Sequence, residues 1–164
     1  MSASPTHHEV SIYADYHQFY ALDSWAALEA TDNTDFWNRE AFVRMLAVNP
    51  GIFGVGTATA GEVPVTLHVD QGAPRADLAR WDHVVEVGLQ LPSGQLIVCG
   101  CTQPREEGLH LELPFGGYIA RVCYGGLDSV VDEDGDDHYS IFMWPAEASG
   151  VRVLKQWPKR REPS

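Results

Sequence analysis

From Val85 to Leu91 the chain alternates: Val85, Val87, Leu89 and Leu91 are apolar, and Glu86, Gly88 and Gln90 stand between them. Successive side chains of a strand point to opposite faces, so this spacing makes a strand with one buried face and not a helix. The same short-period pattern, broken by turn residues, recurs along the chain. It is expected over Val10–Tyr13, Tyr16–Leu22, Ile52–Val55 with its flanking glycines, Val63–Val69, Gln95–Cys101, His110–Leu113, Tyr118–Tyr124 and Val151–Trp157. Tyr139, Ile141 and Met143 alternate with Ser140, Phe142 and Trp144, which predicts a strand buried on both sides. Pro92-Ser93-Gly94 is expected to fold Gln95–Cys101 back on Val85–Leu91 as a hairpin. Chains of 164 residues bury about 70% of their unfolded surface, and 45% of this one is apolar, enough for a packed core. The fold class predicted is all-β: an antiparallel sandwich of about nine to ten strands with one short helix. A closed barrel stays open as an alternative.

That helix is placed at residues 39–48. Asn38 is a suitable N-cap, Glu40 sits in the first turn, and Phe42, Met45 and Leu46 recur at helical spacing. Asn49-Pro50-Gly51 should stop it, because a proline disfavours helical geometry in the residue before it. Asp23 to Asp35 is polar and irregular, with room for one helical turn near Trp25 and Leu28; Gln71 to Arg80 reads as a loop around Pro74. No linker or repeat divides the chain, so residues 1–157 are expected to be one sandwich domain and 158–164 a basic, frayed tail. The last strand would be an edge, open to pairing with a second copy. Tyr13, Tyr16, Phe19, Tyr20 and Trp37 read as packing residues.

Net charge is −12, and four of the eleven basic residues, Lys155, Lys159, Arg160 and Arg161, crowd the C-terminus. The remaining body is therefore still more acidic, repels nucleic acid and anionic membranes, and attracts a basic partner. No apolar run is long enough to span a bilayer, and Met1 to His8 has no basic start or apolar stretch of a secretory signal. Cys99, Cys101 and Cys123 are an odd, sparse set, which reads as reduced cytoplasmic thiols; Cys99 and Cys101, two apart, should share a face. No phosphate loop, Gly-x-Ser-x-Gly elbow or His-Glu-x-x-His occurs, so no catalytic residue and no cofactor is assigned. Asp128 to Asp137 holds six acids in ten residues with no cation among them. Its spacing does not match a calcium loop, which alternates oxygen donors around a glycine at position six and ends in glutamate.

Three blocks carry a resemblance. They are Asp15-Tyr16-His17-Gln18-Phe19, Trp37-Asn38-Arg39-Glu40-Ala41-Phe42, and Asn49-Pro50-Gly51-Ile52-Phe53-Gly54-Val55-Gly56-Thr57. In order and type they resemble the competence protein J family, inhibitors of a DNA-entry nuclease, over roughly the first 60 residues. The resemblance implies a nuclease as partner; a bacterial toxin bound in an immunity role fits the residues equally. A protein that binds a polyanion concentrates cationic groups in its cleft, and a row of carboxylates can present matching charge there without a scissile bond. Asp132, Glu133, Asp134, Asp136 and Asp137 are the candidates for that row, with His138 beside them and Asp15 and Asp23 near the first block. Two other classes compete: a metal-dependent hydrolase using Asp132, Asp134 and His138, and a ligand-binding or scaffolding sandwich.

Overall fold

In a computed structural model, which describes residues 5–26 and 35–159, the chain forms two packed β-sheets and one short helix. The strands are β1 (Thr6–Tyr13), β2 (Gln18–Asp23), β3 (Leu46–Asn49), β4 (Ile52–Gly56), β5 (Glu62–Val69), β6 (His83–Leu91), β7 (Gln95–Gly100), β8 (Leu109–Glu112), β9 (Gly116–Gly125), β10 (His138–Pro145) and β11 (Arg152–Lys155). The helix, α1, is Arg39–Arg44. One sheet runs β1-β5-β10-β9-β6-β11 and the other β3-β4-β2-β7-β8. This is the expected all-β sandwich.

Alternation builds its core. Phe19 and Ala21 of β2, Phe53 and Val55 of β4, and Leu96 and Val98 of β7 meet Val85, Val87, Ala120, Val122, Tyr139 and Ile141 between the sheets. Each large side chain so buried contributes about 1.5–3 kcal/mol. The outer faces are covered too. Tyr20, Leu22, Ile97 and Cys99 point away from the core and pack under Phe36 and Ala41, with Cys101 against the same cluster as its spacing predicts. On the far side Trp81 covers Val84 and Cys123, joined by Leu78, Phe142 and Leu154. The loop around Pro74 therefore leads into a lid on the six-stranded sheet.

Four expectations are corrected. Pro92-Ser93-Gly94 makes no hairpin: β6 already pairs with β9 and β11, while β7 pairs with β2 and β8, so the turn carries the chain from one sheet to the other. The helix stops at Arg44, not 48, because Met45 enters the left-handed region (φ 59°) and Leu46–Asn49 pairs with β4. Asn49-Pro50-Gly51 is thus the tight turn of a hairpin, with Gly51 at φ 77°. The sheets are not wholly antiparallel, since β10 runs parallel to β5. Finally, the strand expected from Tyr16 begins at Gln18, the one expected to end at Trp157 ends at Lys155, and eleven strands form among the described residues. The helical turn considered near Leu28 and most of the tail, residues 160–164, lie outside the described residues.

Candidate interaction site

Among the described residues five non-glycine residues adopt positive φ: Tyr16, His17, Met45, Asp132 and Glu133. A left-handed backbone costs an ordinary residue roughly 1–2 kcal/mol, and such strain persists only where its surroundings over-determine it. Tyr16, His17 and Met45 line one hollow, and Glu133 bonds to His17 at its lip.

The hollow has a volume of about 530 Å³. Its walls are Tyr16 to Gln18, Trp37 and Phe42, Met45, Gly56 to Ala58, Leu127, Val130 and Trp157. Asn38 caps α1 by accepting a hydrogen bond from the Ala41 amide (2.9 Å), which sets Phe42 against this space. The Trp37 indole donates to Gln18 Oε1 (2.7 Å), so its polar edge is satisfied and its ring faces the hollow. Gly54 permits that placement, since a Cβ there would lie 3.1 Å from the Trp37 ring and 3.2 Å from Phe36. Met45 is held by its carbonyl, which accepts from the Gly56 amide (2.9 Å) and from the Tyr124 hydroxyl. On the opposite wall the Trp157 amide donates to His83 Nδ1 (3.0 Å), and its indole donates to Asp128 (3.1 Å). Lys159 pairs with the same carboxylate at 2.9 Å. Hydrogen bonds from Lys159 and Trp157 hold the Asp128 carboxyl below its ordinary range.

The acidic run meets the hollow at one point, through Glu133. Val131 and Asp134 exchange two backbone bonds (2.8 and 3.0 Å) around Asp132 and Glu133, whose φ values of 50° and 67° are those of a type I′ hairpin turn. Asn-Gly is the usual sequence there. Here a carboxylate–imidazole contact of 2.5 Å between Glu133 and His17 ties the tip to β2's leading turn. Behind the tip, Glu62, Asp134, Asp136 and His138 line a second, polar hollow of about 480 Å³.

The candidates named from sequence divide sharply. Asp132, Glu133, Asp134, Asp136 and His138 are exposed around this hairpin, though the segment is a closed turn and not the extended row expected. Asp137 is 3% exposed and serves the interior: it accepts from Thr59 Oγ1 (3.0 Å) and the Tyr139 hydroxyl (2.6 Å). Asp23, 1% exposed, accepts from Ser93 Oγ (2.6 Å), the Ser93 amide (3.1 Å) and the Trp25 amide (2.9 Å), and so anchors the turn between sheets. Neither can face a partner. Asp15 is half-buried and accepts from Thr102 (3.1 Å), bracing the turn after β7. His138 Nδ1 donates to the Asp136 carbonyl (2.9 Å) with its ring against Trp81. Asp132, Asp134 and His138 do not converge: among the described residues no three His, Cys, Asp or Glu side chains are grouped to hold a metal.

Sequence reasoning missed the hollow itself. Phe19 and Tyr20 pack as expected, but Tyr13 and Tyr16 are exposed, Tyr16 at 72%. Trp157 was placed on a strand and instead walls the hollow. The available signal was Tyr16-His17 and Trp37, which already stood in the blocks that carry the resemblance.

No family model matches the chain, and no curated protein matches its sequence. Solved structures do match its shape. ComJ from Bacillus subtilis, an inhibitor of the DNA degrading activity of NucA, superposes with a TM-score of 0.63 at 14% identity, over 89% of this chain and 98% of that one. The architecture is ComJ-like. A second structure, described as crocagin biosynthetic gene J, gives a TM-score of 0.59 at 17% identity over 88% of this chain and all of the other. At such identities the likeness is one of fold. That likeness of fold spans nearly the whole chain.

Proposed function

We propose that this protein is a non-catalytic inhibitor of a nuclease, which it engages through the acidic hairpin and the aromatic hollow behind it. The observation that carries this reading is the exposed acidic turn of Asp132, Glu133, Asp134 and Asp136, tied through Glu133 to His17 in the wall of an apolar hollow. The ComJ-like fold supports it, because ComJ inhibits a DNA-degrading activity. The physics is that of an interface with separate tasks. Exposed carboxylates lie opposite the cations that a nuclease gathers for phosphates, and so raise the encounter rate. A hollow walled by Trp37, Phe42 and Trp157 takes an apolar anchor, and desolvated anchors of that kind govern dissociation. With a net charge of −12 the chain itself avoids nucleic acid. Its three cysteines are free, which suits a reducing compartment such as the cytoplasm.

The test uses a basic nuclease from the same cells with a fluorogenic DNA substrate. Added protein should suppress cleavage, and Asp132→Asn/Asp134→Asn/Asp136→Asn should relieve the suppression while the variant stays folded. Full inhibition by the triple variant, or cleavage by the purified protein alone, would overturn the proposal.

A further inference from the structure

His7 of β1 and His68 of β5 are register partners on adjacent antiparallel strands, at the edge of the six-stranded sheet far in sequence from the acidic hairpin. Their Nδ1 atoms stand 3.0 Å apart, with ring centroids separated by 4.4 Å. Both rings are positioned from behind. His68 stacks on Phe142 at 4.5 Å and 7°. His7 turns its other nitrogen, Nε2, toward Glu9 Oε1 at 3.5 Å, while half of its side chain remains open to solvent.

We propose that His7 and His68 form a two-nitrogen chelate for a divalent transition-metal ion of the Cu²⁺, Ni²⁺ or Zn²⁺ kind, stapling β1 to β5. Two nitrogens each about 2.0–2.1 Å from one ion stand about 2.9 Å apart at the right angle of square-planar Cu²⁺ or Ni²⁺ and about 3.3 Å apart in tetrahedral Zn²⁺, so the observed 3.0 Å suits the first two best. Moving the bridging proton from Nδ1 to Nε2 of the same ring leaves a lone pair on each Nδ1 for a shared ion in place of the present N–H···N contact. Glu9 supplies the outer carboxylate that commonly orients a metal-bound imidazole and raises its basicity. Imidazole selects these ions over calcium and magnesium, which demand oxygen donors. Water completes the coordination, leaving positions open to a side chain from outside.

Titration of the full chain with Cu²⁺, Ni²⁺ and Zn²⁺, followed by calorimetry and thermal melting, should show one ion bound per chain and a melting temperature that rises with metal. His7→Ala and His68→Ala should each weaken binding by more than the roughly 10- to 100-fold typical of losing even an outer partner. His68→Gln, which keeps a polar group of similar size, should do the same, and the melting point without metal confirms that each variant folds. Copper-bound protein should give a paramagnetic resonance spectrum with two nitrogen ligands, reduced to one in His7→Ala. His8→Ala and the triple Asn variant of the hairpin should bind as the parent does. The proposal fails if none of the three ions binds, if binding survives loss of both histidines, or if it vanishes in the hairpin variant.

Discussion

Asp137 accepts bonds from the Thr59 hydroxyl and the Tyr139 phenol while almost none of its surface meets water. Burial, reinforced by the Asp137 hydrogen bond, pushes the Tyr139 pKa up, so the phenol remains a donor across the whole working range. Replacing Asp137 with Ala would leave those donors and the Thr59 amide unpaired, at a cost of about 1–3 kcal/mol in a urea unfolding curve. The triple Asn change at Asp132, Asp134 and Asp136 should stay within about 0.5 kcal/mol, because these groups are solvated in both states. Six acids in ten residues look alike in a sequence; what separates Asp137 is Thr59, which lies 78 positions away. The thiols follow the same rule of environment. Burial raises the Cys99 pKa to about 11 and that of Cys123 to about 12, so little thiolate forms at pH 8. Both should resist a thiol reagent in the native protein and react once urea unfolds it.

The hairpin at Asp132-Glu133 and the turn at Tyr16-His17 are short elements strained in the same sense, and each steadies the other through the His17–Glu133 contact. Both side chains are half exposed, so a double-mutant cycle of His17→Ala and Glu133→Ala should give a coupling of less than about 1 kcal/mol. A larger value would mean that the pair organises the hollow instead of merely closing its lip. The C-terminal segment carries a different dependence. The Asp128 carboxyl, held below its ordinary range by Lys159 and Trp157, fastens that segment to the hollow's wall. A group whose folded-state pKa is depressed contributes above its unfolded value and loses that contribution as pH falls through the folded one. The Asp128 contacts to Lys159 and the Trp157 indole should therefore hold at neutrality and loosen only below about pH 4, which Trp157 fluorescence in wild type against Asp128→Asn reads out. This segment was expected to remain a strand through Trp157. It ends early because its indole and amide find partners in Asp128 and His83.

At the scale of the whole molecule, charge and shape act on different rates. Association with a basic partner should slow steeply as salt is added, since screening shortens the reach of the −12 field. Dissociation should respond little to salt and strongly to Tyr16→Ala, which trims the exposed rim of the hollow; stopped-flow mixing separates the two. The sandwich and most of its strands were legible in the chain because alternation is a property of neighbouring residues. Which sheet each strand joins was not. The turn at Pro92-Ser93-Gly94 has the composition of a hairpin, yet it crosses between sheets because Asp23 grips Ser93 and both neighbours of β6 are other strands. Likewise Leu46 fits a helical spacing and still joins a strand, since β4 offers a backbone partner that local periodicity cannot register. The sequence by itself determined two buried faces and a net negative charge. Tertiary structure alone decided which carboxylates face outward and that Tyr16, Trp37, Met45 and Trp157 share one hollow, because those choices depend on contacts between segments tens of residues apart.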